Sequence, residues 1–156
     1  MQKITTYLWF DKEAEAAVDF YTSVFDDSRV LDVQRLDVPG QEPSVATVVT
    51  FELAGQRFIA LNGGPQFTFN EAISLYVDCE NQQEVDELWE KLTADGGEPG
   101  PCGWLKDKFG VSWQVIPRTL TDLMSDPDPV KSRRVVQAML QMKKINIKAL
   151  QDAYEQ

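Results

Sequence analysis

Tyr7, Trp9, Tyr76 and Trp104, together with the amides Asn62 and Gln114, are the side chains of this sequence best suited to holding a small molecule. Aromatic walls carrying a few polar groups are the usual lining of such pockets. Two carboxylates, Glu52 and Asp107, invite an acid–base reading. Glu52 sits opposite the apolar face of its strand and Asp107 belongs to a turn, so solvated structural roles are expected for both. No catalytic residue is assigned.

The chain has no histidine, which narrows the chemistry sharply. Ser-His-Asp and Cys-His catalysis are excluded. The commonest transition-metal ligand is missing too, leaving carboxylates, amides and two thiols. Cys79 and Cys102 are too few for a disulfide framework and lack clustered Lys or Arg to stabilise a thiolate. They read as small, semi-buried hydrophobes.

The net charge of −10 argues against binding a phosphate backbone. Residues 1–125 carry 9 Lys+Arg against 21 Asp+Glu, a balance of −12; residues 126–156 carry 6 against 4, a balance of +2. A mildly basic tail on an acidic body favours self-contact over nucleic acid. No run reaches the roughly 20 apolar residues of a membrane span, and the first residues lack a signal-peptide stretch, so a cytoplasmic protein is expected.

The elements that would position these side chains come in a repeated order. Residues 4–10 read as a strand, Asp11 punctuates, and Ala14, Ala17, Val18, Tyr21 and Phe25 give helical spacing over 13–25. Strands follow at 29–36, 44–53 and 57–61, with turns at Pro39-Gly40 and Ala54-Gly55. The pattern returns 67 residues on, with a strand at 72–78 and a helix at 82–94 stopped by Gly96-Gly97. A short strand in 99–102, then 104–108 and 111–116, complete the second copy. Strand, helix and three strands twice over predict an α+β fold, two tandem βαβββ modules over 3–64 and 70–117, with mostly antiparallel sheet. The two form one domain over 1–117 in this reading. Residues 118–156 form a helical extension, with helices over 119–125, 129–142 and 146–155 and a cap at Asp126-Pro127-Asp128-Pro129.

The Val18-Asp19-Phe20-Tyr21 helix and the closing Asp107-Lys108-Phe109-Gly110 turn resemble the vicinal-oxygen-chelate superfamily of glyoxalase I, bleomycin-resistance proteins and extradiol dioxygenases. Phe51-Glu52-Leu53-Ala54-Gly55-Gln56, Leu61-Asn62-Gly63-Gly64-Pro65 and Cys102-Gly103-Trp104-Leu105-Lys106-Asp107 resemble its PhnB-like branch. The resemblance implies that each sheet curls into a cup holding ligand or metal. Ile73, Leu75 and Val77 should back onto the helices, leaving Ala72, Ser74 and Tyr76 towards the cup. The 67-residue offset puts Thr5, Tyr7 and Trp9 in equivalent places. Trp89 and Trp113 read as core.

Metal-binding members carry ligands on the first and last strand of each module, with a glutamate four residues after the Asp-x-x-Gly turn. The matching positions here are Thr5 (or Thr6), Ala72, Gln114, and Ile59 or Asn62. None is a carboxylate or imidazole, so neither a hard cation nor zinc is expected, and no cofactor is predicted. The favoured function is a metal-free cup for a small hydrophobic or aromatic molecule, held by Tyr7, Trp9, Asn62, Tyr76, Trp104 and Gln114. The alternative is a metal-dependent lyase, isomerase or dioxygenase. A methyltransferase, a label carried by relatives of this branch, stands third because no glycine-rich strand-turn-helix motif for a nucleoside is present.

Phe67 and Phe69, in the linker between modules, suit a lid or a dimer contact, with core anchoring as the other role. Met139, Met142, Ile147, Leu150 and Tyr154 form stripes that need cover. A homodimer built on those helices is expected.

Overall fold

The computed structural model describes residues 1–40, 42 and 44–156, in two compact units, Met1–Phe69 and Asn70–Gln156. In the first unit, strand β1 (Thr6–Phe10) leads into helix α1 (Ala14–Val24), then β2 (Arg29–Asp37), β3 (Val45–Leu53) and β4 (Gln56–Asn62). The sheet order is β1-β4-β3-β2, with β1 parallel to β4 and the other pairs antiparallel. Strict alternation decides which side is core. Leu8, Phe10, Val49, Phe51, Leu53, Phe58 and Ala60 are buried on one face, as are the α1 residues Ala14, Ala17, Val18 and Tyr21. Tyr7, Trp9, Val48, Thr50, Ile59 and Leu61 occupy the opposite face.

The second unit repeats this order. Strand β5 (Leu75–Cys79), helix α2 (Gln82–Thr93), β6 (Glu98–Pro99), β7 (Trp104–Lys106) and β8 (Ser112–Pro117) give the sheet β5-β8-β7-β6, again with the first and last strands parallel. Leu105, Trp113, Val115 and Cys79 are buried on one face, and the α2 residues Val85, Leu88, Trp89 and Leu92 are buried too. Asn81 caps α2, its Oδ1 accepting from Glu84 N at 2.9 Å. The α+β fold of tandem modules with C-terminal helices is as expected.

Two details of the repeat differ from the sequence reading. Strand β5 begins at Leu75, three residues late, because Asn70 Oδ1 accepts from Ala72 N at 2.9 Å and turns the chain ahead of it. Ile73 therefore does not back onto a helix; it is 76% exposed, and Ala72 lies outside the strand. Register also resets the offset. Tyr7 pairs with Ile59 and Tyr76 with Gln114, so the strands correspond at 69 residues instead of 67. Two is the period of a strand, so the face assignments of Tyr7, Trp9, Leu75, Tyr76 and Val77 survive while each correspondence moves by one period.

Helices α3 (Arg118–Met124), α4 (Pro129–Met139) and α5 (Ile147–Glu155) complete the second unit. Asp128 Oδ1 accepts from Val130 N at 2.9 Å, with Pro129 opening α4 as expected. Val135, Ile145 and Leu150 bury themselves against Ile116 and Leu120, and Met139, Met142 and Tyr154 pack around that cluster. The two stripes thus cover one another and the end of β8. The expected dimer through these helices therefore lacks its cause, because the stripes are covered within the unit. Among the described residues, no helix is long and apolar enough to cross a membrane.

Candidate functional site

In the second unit, three predicted residues form one row across the sheet. Trp104 on β7 pairs with Gln114 on β8, and Gln114 pairs with Tyr76 on β5. All three stand on the face opposite Trp113 and Val115. Gln114 Nε2 donates to Ser74 Oγ at 2.9 Å, and the Tyr76 hydroxyl lies 3.3 Å from Thr121 Oγ1 on α3. Tyr76 is still 53% exposed.

The next row holds Lys106 and Ser112, and Lys106 is ion-paired with Glu71. That pairing holds the Glu71 carboxyl below its ordinary range, the Lys106 hydrogen bond being the largest cause. Beside these rows a cleft of about 450 Å³ opens, lined among others by Glu71, Glu98, Cys102, Trp104, Lys106 and Ser112. The sequence reading missed Ser112, Lys106, Glu71 and Glu98. The signal for Ser112 was alternation, because it lies two residues before Gln114 on the same strand face.

The rim of this cleft is set by a left-handed turn. Cys102 has φ 57° and Gly103 φ 84°. Their amides donate to the carbonyls of Met142 and Lys143, both at 2.8 Å. A Cβ at Gly103 would lie 2.7 Å from Ile116 Cδ1 and 3.1 Å from Ile145 Cγ1, so only glycine fits. The segment after α4 therefore anchors the rim.

In the first unit, Tyr7 and Trp9 share the face opposite α1, and Tyr7 is 53% exposed. Trp9 lies over the turn after β4: its Nε1 donates to Gly64 O at 2.9 Å, and Phe67 meets its ring edge-on at 5.0 Å. Phe69 packs edge-on against Phe10 at 5.1 Å. Both phenylalanines thus pack on aromatic side chains, although Phe67 remains 63% exposed. Asn62 Oδ1 accepts from Ala14 N at 2.8 Å, committing that oxygen to the first turn of α1.

The two carboxylates singled out for acid–base chemistry are structural. Asp107 is buried, not solvated: its oxygens accept from Phe109 N, Val111 N and Trp113 Nε1 at 2.8, 3.1 and 2.8 Å. Glu52 lies 3.4 Å from Arg29 on the neighbouring strand. Cys79 is fully buried, and desolvation pushes its thiol up to about 12.

Residues 2–116 match the family described as 3-demethylubiquinone-9 3-methyltransferase, the match ending just before α3. The PhnB protein from Bacillus cereus is 40% identical, over 74% of this chain and 99% of that one, with a TM-score of 0.65. The chain belongs to the PhnB-like branch of the vicinal-oxygen-chelate superfamily.

Protein PA1353 from Pseudomonas aeruginosa shares the fold at 16% identity, over 75% of this chain and 98% of that one, with a TM-score of 0.57. So does the fosfomycin resistance protein FosX from Listeria monocytogenes, complexed with Mn(II) and sulfate, at 20% identity over 72% and 90%, with a TM-score of 0.50. Comparison with curated proteins returned no match.

The PhnB-like chain does not offer the donor set that a superfamily metal needs. By the 69-residue correspondence the matching positions are Thr5 and Ser74, each one residue ahead of its strand, with Ile59 on β4 and Gln114 on β8. They provide two hydroxyls, one amide and a hydrocarbon, with no negative charge to offset dehydration of a divalent ion. Among the described residues, no group of three His, Cys, Asp or Glu side chains comes together to hold a metal.

Proposed function

We propose that this PhnB-like protein binds a small hydrophobic or aromatic molecule against the open faces of its sheets, without a metal. The observation that carries this reading is the Trp104–Gln114–Tyr76 row. Two aromatic rings flank an amide already oriented by Ser74, on a face where half-exposed Tyr76 gains from being covered. Tyr7 and Trp9 supply the equivalent surface on the first sheet. Asn62 supports the site by starting α1, and Phe67 buttresses Trp9 in place of acting as a free lid.

The methyltransferase name travels with the family as a description. Support for that chemistry would require a glycine-rich turn between a strand and a helix to seat a nucleoside cofactor. Here the turns from β1 to α1 and from β5 to α2 carry Asp11-Lys12-Glu13 and Glu80-Asn81.

A thermal-shift screen of aromatic and aliphatic metabolites in excess chelator tests the proposal, because a ligand of the folded state raises its melting temperature by mass action. At least one compound should stabilise the wild type and lose its effect in Tyr76→Ala and Trp104→Ala. A library without a hit, or hits that appear only when a divalent metal is restored, would refute it. We also propose a homodimer, supported by the half-exposed Val30, Val33 and Leu36 along edge strand β2. Light scattering should give about twice 17.7 kDa; a clean 17.7 kDa species excludes it.

A further inference from the structure

Ser112 lies beneath the cleft beside β6 and β7, and its hydroxyl has no hydrogen-bond partner. The residue is 2% exposed, and among the described residues its Oγ is one of two buried side-chain polar atoms left unpaired, Arg134 Nε being the other. Buried polar groups are nearly always satisfied, so such an exception needs a reason. Ser112 pairs with Lys106 across β7–β8, one row from Trp104, so all three side chains share a face.

The charges around the cleft are unequal. Lys106 is the single cation among the six cleft residues named above, and Glu71 already holds it. Glu98 stands opposite Lys106 in the β6–β7 register and adds a second carboxylate. One negative charge is therefore left over. An anionic ligand would have to displace Glu71 from Lys106 and bring a further negative charge beside Glu98. A cation meets no such barrier, and the indole face of Trp104 favours it as well.

We propose that the cleft holds a small organic amine. Its flat apolar body lies on Trp104, its protonated nitrogen is drawn to Glu98, and an N–H donates to Ser112 Oγ. This rests on the proposed small-molecule function and assigns the ligand's chemical class.

Calorimetric titration of the full chain with tryptamine, its neutral counterpart indole-3-ethanol and the anion indole-3-acetate separates the two claims. Tryptamine should bind roughly tenfold more tightly than indole-3-ethanol, and indole-3-acetate most weakly. Glu98→Gln should shrink the preference, and added salt should do the same. Ser112→Ala should weaken tryptamine severalfold without lowering the melting temperature. Equal affinity for the three would overturn the amine assignment while leaving the aromatic-binding reading standing. Absence of tryptamine binding would overturn it too, the wider screen then deciding the fate of the binding function. A preference that persists unchanged in both variants would also sink the assignment, since the selectivity would arise elsewhere.

Discussion

Gln114 donates its amide to the Ser74 hydroxyl across 2.9 Å, joining β8 to the residue just ahead of β5. Each side chain thus spends one of its hydrogen-bonding atoms on the other. The bond fixes the orientation of an uncharged amide between Trp104 and Tyr76, a geometry suited to positioning a neutral or aromatic group.

Asn62 gives the first prediction. Its oxygen accepts from Ala14 N at the start of α1, a bond between residues 48 apart in sequence. Asn62→Ala should lower stability by about 1 kcal/mol in urea unfolding, and Asn62→Asp should retain most of it. Ligand affinity should move little in either. A large loss of affinity with unchanged stability would return Asn62 to the ligand.

Gly63 and Trp9 give the second. A Cβ on Gly63 would fall 2.4 Å from the Trp9 ring, so Gly63→Ala must push the indole aside. That should cost about 1–3 kcal/mol and loosen Phe67, which rests on the same ring. Tryptophan fluorescence should shift along with the unfolding midpoint. An unshifted spectrum with full stability would show that Trp9 is not seated on this turn.

Legibility differed between faces and ends. Alternation over 45–53 and the apolar spacing over 14–21 and 85–92 identified the buried faces, because a half-buried strand and an amphipathic helix repeat at fixed periods. The 67-residue offset holds for the helices, where Val18 and Tyr21 match Val85 and Leu88, but is two short on the strands, because the link from strand to helix differs between the copies. The aromatic members of the site were legible as types. Ser112 was within reach through its alternation with Gln114, whereas Lys106 was not, because its importance depends on which strand pairs with which. The helical stripes were read as packing surface, but they were expected to need a second copy, and Ile116 was not foreseen as their partner.

Cys79 makes stability depend on alkaline pH. Burial is the main reason that its thiol is raised to about 12 from an ordinary value near 9, with Glu84 and Asp78 adding to it. The folded chain therefore keeps a proton that the unfolded chain releases above about pH 9. This contribution is complete below that pH and drains away as pH rises towards 12. Urea midpoints should fall through this range, and Cys79→Ala, although less stable at neutral pH, should fall less steeply. Parallel curves for the two proteins would contradict the burial argument.

Removing residues 127–156 should damage more than assembly. Val135, Ile145 and Leu150 leave Ile116 and Leu120 bare when they go, at roughly 1.5–3 kcal/mol per large side chain exposed. The Met142 and Lys143 carbonyls that hold the Cys102–Gly103 turn are lost with them. A lower unfolding midpoint and weaker binding at the Trp104 cleft are expected together. A truncated chain of wild-type stability would mean that the extension is not part of the core of its unit.

A sheet face that works without a metal shows itself in the elemental content of freshly purified protein that has never met a chelator. Thr5, Ile59, Ser74 and Gln114 predict divalent metal far below one ion per chain, and ligand-induced stabilisation that is the same before and after chelation. One manganese, zinc or iron per chain, removed by chelator together with ligand binding, would contradict it.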